Sequence, residues 1–134
     1  MVKKRIVIDT NNLISALGWR GNSRDLFIRV IEGKYDLLIS EKQMEELRRV
    51  LGYKKFGFTE SEKKKFLDII HSISLLVEVK TKIDITDDKN DDFLIECAVD
   101  GGADFIISGD DDILRLKKFG RINVMKVKDF LEDY

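Results

Sequence analysis

The feature that most constrains how this chain folds is a short aliphatic run near its start, Arg5-Ile6-Val7-Ile8, which is followed directly by Asp9. Three consecutive β-forming residues without polar alternation predict a strand that is buried on both faces, as in the middle of a parallel sheet. Ligands of open α/β sheets bind outside the carboxyl ends of the strands. We therefore expect Asp9 to lie at a functional edge of the sheet.

The same pattern recurs far along the chain, where Phe105-Ile106-Ile107 are followed by Ser108, Gly109 and Asp110. Between the two runs, strand-like and helix-like segments alternate. The predicted strands cover residues 5–8, 36–40, 75–79, 103–108 and 122–125, and the predicted helices cover 11–17, 24–31, 41–51, 60–73, 93–99, 112–117 and 128–132. This alternation predicts right-handed βαβ crossovers and a parallel sheet between helices, an α/β fold. The 134 residues suit a single domain, residues 1–134.

Polar residues just before several of these helices predict their N-caps. We expect Asn11 or Asn12 to cap the first helix, Ser23 the second and Ser40 the third. Thr59 and Glu62 form a capping box for the fourth helix. An acidic turn, 86–92, leads into the fifth helix, and Asp112 is expected to cap the sixth.

The composition excludes several classes of protein. A single cysteine, Cys97, and a single histidine, His71, cannot form a disulfide within the chain or a Cys/His zinc site. A net charge of −1 argues against a protein that coats nucleic acid. The first residues lead straight into a strand and no apolar run approaches membrane-spanning length, so we expect a cytoplasmic protein without a membrane partner.

Acidic residues occur at four strand ends or helix starts, and they are the strongest functional signal in the sequence. They are Asp9, Glu46, Asp91 with Asp88 and Asp92 beside it, and Asp110 with Asp111 and Asp112. Glu46 borders the apolar stripe of its helix, whereas Glu45 points away from it. Clustered carboxylates raise one another's pKa, and a divalent cation relieves the repulsion. Oxygen ligands favour Mg²⁺ or Mn²⁺ over zinc, and such a site suits the hydrolysis of phosphodiesters.

Each acid also has a purely structural interpretation. Asp9 and the run from Asp110 to Asp112 can cap helices, the acidic turn 86–92 can do the same, and Glu46 can be an ordinary solvated residue. No single position decides between these interpretations. The metal-site hypothesis depends on the joint placement of all four.

The motifs together resemble the PIN-domain ribonucleases, in particular the small toxin-like members related to VapC. The stretch I-V-I-D-T-N-N-L is similar to the first motif of the family and E-E-L-R-R-V-L to its second. D-K-N-D-D-F-L-I-E-C-A-V-D-G-G-A-D-F-I-I-S-G-D-D-D-I-L looks like the third and fourth. Counting back from Gly102-Ala103 assigns the third acid to Asp91, with Asn90 and Asp92 as the neighbouring registers.

The resemblance implies a three-layer α/β/α sandwich with about five parallel strands and an endoribonuclease that depends on Mg²⁺ or Mn²⁺. In this comparison Asp9, Asp91 and Asp110 hold the metal. Glu46 binds it through water or positions the nucleophile. The supporting residues are Asn11 and Ser108, which orient the acids, and Asp112, which assists a second ion. The resemblance further implies a toxin with an antitoxin partner, and a homodimer.

A path for RNA needs cations beside the acids, and Arg20, Arg24, Lys54 and Lys55 are candidates. For each of them an ordinary solvated surface position is the alternative. Trp19 can stack on a base, join a dimer contact or pack in the core. The alternative function is a non-catalytic metal- or nucleic-acid-binding module that acts through a protein partner. Since every motif acid is retained, catalysis is the favoured interpretation.

Overall fold

The computed structural model describes residues 2–134. Its strands are β1 Arg5–Ile8, β2 Asp36–Ser40, β3 Ser74–Val77, β4 Phe105–Ile107, β5 Lys118–Phe119 and β6 Ile122–Met125. Its α-helices are α1 Thr10–Gly18, α2 Asn22–Ile31, α3 Glu41–Leu51, α4 Glu60–Ile73, α5 Lys89–Asp100, α6 Asp111–Leu114 and α7 Val127–Asp133, and a 3₁₀ turn spans Lys54–Phe56. None of the described helices is both long and apolar enough to cross a membrane.

The strands form one sheet in the order β3-β2-β1-β4-β6-β5. All neighbouring pairs are parallel except β5 and β6, which are antiparallel. The prediction of an α/β fold with about five parallel strands is confirmed, and β5 is an additional short edge strand that was not predicted. The chain proceeds from β1 to β2 and β3 on one side and then returns to β4 on the other. The ends of β1 and β4 therefore flank the switch point where ligands of such sheets bind.

Helices cover both faces of this sheet. Ile6 and Ile8 of β1 belong to a core cluster that is completed by α1, α2, α3, α4 and α7. Val7, between them, faces the opposite cluster with Leu94 and Ile95 of α5 and Ile113 of α6. The three aliphatic residues of β1 are at most 3% exposed, which confirms the prediction of a strand buried on both faces.

Of the five predicted N-caps, those of the third and fourth helices are confirmed, and those of the first, second and sixth helices are wrong. Ser40 caps α3, and the capping box before α4 is present. Helix α1 is capped by Asp9 instead of Asn11 or Asn12, because its first turn begins one residue earlier than predicted. Ser23 lies inside α2, where its hydroxyl accepts a hydrogen bond from the side chain of Asn12.

The two acidic helix starts also differ from the prediction. Asp88 caps α5, so this helix begins at Lys89 instead of residue 93 and contains both Asp91 and Asp92 in its first turn. Asp110, not Asp112, caps α6. That helix stops at Leu114 instead of residue 117, because Lys117 adopts a left-handed conformation with φ of 56° and leads into β5.

Candidate functional site

A cleft of about 200 Å³ opens at the carboxyl ends of β1 and β4. The four acids that the sequence singled out, Asp9, Glu46, Asp91 and Asp110, all line it. Asp9 follows β1, Asp110 follows β4, Glu46 comes from α3 and Asp91 from the first turn of α5. The structure thus brings together acids that are up to about a hundred positions apart in the chain.

Asp9 is 7% exposed, and both of its carboxylate oxygens are held. The hydroxyl of Ser108 donates to Oδ2 at 2.7 Å, and the backbone N–H of Asn11 donates to Oδ1 at 2.8 Å. The Ser108 oxygen in turn accepts from the backbone N–H of Asp110 at 3.0 Å. Burial raises the pKa of Asp9 even though the hydrogen bonds from Ser108 and Asn11 lower it. The side chain is therefore preoriented in a site that disfavours its charge.

Asp91 is 3% exposed, and its Oδ2 atom has no hydrogen-bond partner among the described residues. Burial, followed by the charges of Asp110 and Asp88, raises its pKa to about 7. A buried carboxylate oxygen without a donor costs free energy unless something positive binds it. A cation at this position would supply the missing partner.

Asp88, Asp91 and Asp110 each present a carboxylate oxygen, and these three oxygens lie within 4.8 Å of one another. An all-oxygen cluster with an unpartnered buried atom fits a hard divalent cation such as Mg²⁺ or Mn²⁺. From sequence, Asp88 was only a neighbour of Asp91 and was not among the predicted ligands. Residues three positions apart lie on the same side of a helix. A predicted helix start at Lys89 would therefore have placed Asp88 and Asp91 on one side of α5.

Glu46 is held at the other side of the cleft by contacts from α1 and α3. The hydroxyl of Thr10 donates a hydrogen bond to Oε1 of Glu46, and Arg49 Nη2 lies 3.9 Å from Oε2. Gln43, one turn earlier on α3, donates to the carbonyl oxygen of Ile8 at 2.6 Å and so ties the helix to the end of β1. Glu45 is exposed, as predicted.

The three neighbouring candidates for the third acid have different surroundings. Asp91 faces the acid cluster, and the amide Asn90 also lines the cleft. Asp92 is buried and turns the other way, where its Oδ1 accepts hydrogen bonds from the backbone of Ile85 and from the backbone and hydroxyl of Thr86. Asp92 therefore fastens the segment before α5, and Asp91 contributes the carboxylate of the cleft.

The remaining supporting and basic residues are divided between the cleft and its surroundings. Asn11 and Lys55 line the cleft. Asp112 is not part of the lining and pairs with Arg115 at 3.0 Å. The guanidinium of Arg24 donates to two carbonyl oxygens at the end of α1 and so serves the packing of α2 on α1. Arg20 and Lys54 are exposed outside the lining.

A model of the PIN domain family matches residues 5–112 of this sequence. The chain belongs to the PIN domain family. This PIN domain is 29% identical, over an alignment 153 positions long, to an uncharacterized protein of Methanocaldococcus jannaschii, and the alignment covers 99% of this chain and 93% of the relative. PIN domains are in general nucleases that use divalent metals.

The PIN domain also resembles a solved structure, that of VapBC2 from Rickettsia felis bound to a DNA fragment from their promoter. The TM-score is 0.62 at 16% identity, and the match covers 90% of this chain and 96% of the other. At 16% identity, this similarity shows that the two proteins share a fold and shows nothing further. The predicted membership in the PIN family and the predicted PIN-like fold are both confirmed.

Proposed function

We propose that this PIN domain is an endoribonuclease that uses Mg²⁺ or Mn²⁺ to hydrolyse phosphodiester bonds in RNA. The observation that carries the proposal is the unpartnered, buried Oδ2 atom of Asp91 within a cleft lined by five carboxylates. Such a concentration of negative charge is unfavourable by itself. A cation shared with a substrate phosphate resolves it and explains why the acids are gathered there.

The ligands that we assign to the cation are Asp9, Asp91 and Asp110, with Asp88 as a further ligand. When bound, a divalent ion supplies Lewis-acid chemistry, which stabilises charge on the phosphate and makes water more acidic. Ser108 and the backbone of Asn11 hold the Asp9 carboxylate in one orientation, so that little reorganisation is needed when the ion binds.

Glu46 has a different role in the proposal, because its position is held by the Thr10 hydroxyl instead of by the acid cluster. We assign it the attacking water: a carboxylate oxygen of Glu46 accepts a hydrogen bond from the water and takes its proton as the new oxygen–phosphorus bond forms. The bond from phosphorus to the leaving ribose oxygen breaks in the same displacement, and that oxygen takes up a proton from solvent. Lys55, also in the lining, is placed to attract the phosphates of the strand.

We infer the toxin role, a protein antitoxin, a homodimer and a cytoplasmic location from likeness to VapBC2 and from the family. Co-purification with the product of a neighbouring gene tests the antitoxin. Sedimentation of the purified chain tests the dimer, for which the helices between residues 23 and 73 are the candidate surface.

The decisive experiment measures cleavage of labelled single-stranded and structured RNAs in Mg²⁺, Mn²⁺ or EDTA. The wild-type protein is expected to cut only with metal, and Asp9→Asn, Asp91→Asn and Asp110→Asn are each expected to cut at least about a hundredfold more slowly. Glu45→Gln, an exposed substitution next to Glu46, is the matched control and should retain full activity. An Asp9→Asn protein as active as the wild type would refute the proposal. Mn²⁺ binding without any cleavage would favour the non-catalytic binding module instead.

A further inference from the structure

The segment of residues 80–86 runs along one side of α5 and ends two positions before Asp88. We call this segment the strap. Because the strap belongs to no helix or strand, its backbone N–H groups have no partner in regular secondary structure and need other acceptors. The side chain of Ile83 packs, partly buried, against the core cluster that contains Leu94 and Ile95. The strap is therefore part of the folded domain.

Three acids of α5, each four positions from the next, supply the missing acceptors: Asp92, Glu96 and Asp100. Residues at this spacing lie on the same side of a helix, where like charges repel one another unless they have partners. Asp100 accepts hydrogen bonds from the backbone N–H groups of Lys80 at 2.6 Å and Thr81 at 2.8 Å. Oε2 of Glu96, which is 5% exposed, accepts from the backbone N–H of Ile83 at 2.8 Å. The side chains of α5 thus bind the backbone of the strap along its length.

The two ends of the strap are bound in the same way but lead to different places. At each end a threonine donates its backbone N–H and its hydroxyl to one carboxylate, Thr81 to Asp100 and Thr86 to Asp92. The hydroxyl of Thr86, 2.9 Å from Oδ1 of Asp92, also lies 2.7 Å from the carbonyl oxygen of Asp88. The backbone N–H of Asp92 donates to that carbonyl oxygen at 3.2 Å. Thr86 and Asp92 therefore both hold the backbone of Asp88.

Asp88 is the exposed member of the acid cluster, whereas Asp91 is buried and Asp110 is half-buried. Their carboxylate oxygens lie within 4.8 Å of one another, so the three negative charges repel one another when no cation is bound. The repulsion favours movement of the exposed Asp88 away from the other two acids. Contacts that hold its backbone oppose this movement and keep the cluster assembled.

We propose that Thr86 and Asp92 are positioning residues of the candidate metal site: they fasten the end of the strap to α5 and so hold Asp88 in the acid cluster before a cation binds. The inference rests on the proposed function and adds to it two residues that bind no ion themselves. Asp92 is 1% exposed and is not part of the cleft lining, so it acts through Asp88. Glu96 and Asp100 hold the remainder of the strap without contact to the cluster.

The test compares matched substitutions at the two ends of the strap. Thr86→Val and Thr81→Val each remove one hydroxyl and keep the shape of the side chain and the backbone N–H. Mn²⁺ binding to the metal-free protein is measured by calorimetry. Thr86→Val is expected to lower the affinity about tenfold, as for other groups that orient a metal ligand, and Thr81→Val should stay within about twofold of wild type. Thr86→Ser keeps the hydroxyl and should restore the affinity.

A double-mutant cycle tests whether Thr86 acts through Asp88. Asp88→Asn removes the charge from the cluster but keeps a side-chain oxygen that can cap α5. If the pathway is correct, adding Thr86→Val to Asp88→Asn should lower the Mn²⁺ affinity by less than about a further twofold. A full further tenfold loss would overturn the inference, because the two residues would then act independently.

Substitutions of Asp92 separate positioning from ligation. Asp92→Asn keeps an oxygen that can accept hydrogen bonds from the strap, so its Mn²⁺ affinity should stay within about threefold of wild type. Asp92→Leu removes the acceptor and should match Thr86→Val. A loss of about a hundredfold in Asp92→Asn would instead identify Asp92 as a ligand and overturn its positioning role.

The outcomes distinguish this inference from the proposed function. If Thr86→Val binds Mn²⁺ like the wild type, the inference is overturned, while cleavage of RNA that depends on Asp9 still supports the nuclease proposal. Equal losses in Thr86→Val and Thr81→Val would also overturn it, since a general loosening of the strap would then explain both. If the wild type binds Mn²⁺ through Asp88 and Thr86 but cleaves no RNA, the nuclease proposal fails and the positioning role remains.

Discussion

The hydroxyl of Ser108 donates a 2.7 Å hydrogen bond to Oδ2 of Asp9, although 99 positions separate the two residues. The bond exists because β1 and β4 are adjacent and parallel. Ile8 is paired with Ile107, so both strands end at the same edge of the sheet. The backbone N–H of Asp9 also donates to the carbonyl oxygen of Ile107. The orientation of the proposed metal ligand is thus a direct product of strand pairing.

Ser108→Ala should therefore weaken metal binding. The substitution leaves Asp9 Oδ2 without its donor and removes a hydrogen bond that holds the pKa of Asp9 down. We expect about tenfold lower Mn²⁺ affinity by calorimetry, with a larger deficit at pH 6 than at pH 8 because protons then compete more effectively. Ser108→Thr keeps the hydroxyl and should restore most of the affinity. Identical Mn²⁺ isotherms for Ser108→Ala and wild type would contradict the positioning role.

The contact between Thr10 and Glu46 makes a different prediction. Thr10→Val has almost the same shape but lacks the hydroxyl that holds Glu46. We expect kcat for RNA cleavage to fall about tenfold with KM and Mn²⁺ affinity nearly unchanged, since Glu46 is assigned to the water and not to the ion. Thr10→Ser retains the donor and serves as the control. A loss of Mn²⁺ affinity instead of kcat would show that Glu46 is a metal ligand.

Asp91 couples stability to pH in the metal-free protein. Its pKa is raised from 3.8 to about 7, so folding favours the protonated form. The stabilisation is complete below pH 3.8 and is lost as the pH rises through about 7, because the folded protein must then hold a buried charge. Asp91→Asn avoids this cost. In EDTA at pH 8 we expect it to be more stable than wild type by roughly 1–3 kcal/mol.

The check is thermal unfolding in EDTA between pH 4 and pH 8, with the advantage of Asp91→Asn shrinking toward acid pH. Adding Mn²⁺ at pH 8 should reverse the order, because only the wild type gains binding free energy. A variant that melts below the wild type at every pH in EDTA would show that the Asp91 carboxylate is not a source of strain in the fold.

Asp100 provides a test of an acid that has a structural role only. It accepts hydrogen bonds from the backbone of Lys80 and from the backbone and hydroxyl of Thr81, and these bonds lower its pKa. Its contribution to stability is therefore present at neutral pH and fades as the pH falls through this lowered pKa. We expect Asp100→Asn to melt at a lower temperature at pH 7 but to cleave RNA within about twofold of wild type. A large loss of cleavage would indicate that the 80–81 segment supports the cleft.

Much of this architecture can be predicted from local signals. Uniform aliphatic runs identified the buried strands, and the helices between them indicated parallel crossovers. The side of α3 on which Glu46 lies follows from helical periodicity alone. Four acids in motif order pointed to the family that the comparison establishes. Each of these inferences depends on spacing along the chain, which the sequence contains in full.

The surroundings of individual acids could not be predicted in this way. In the run from Asp87 to Asp92 every acid has a similar local propensity for a turn or a helix cap. Tertiary contacts therefore decide where the helix begins and which acid faces the cleft. Asp88 caps α5, and Ile85 and Thr86 donate hydrogen bonds to Asp92. These contacts set the rotation of the first turn of α5, so that Asp91 lies in the cleft with Asp88 beside it. The sequence alone identified the acidic residues of this segment. Whether each one joins the acid cluster, caps a helix or binds a neighbouring segment depends on which backbone donors the folded protein brings near it.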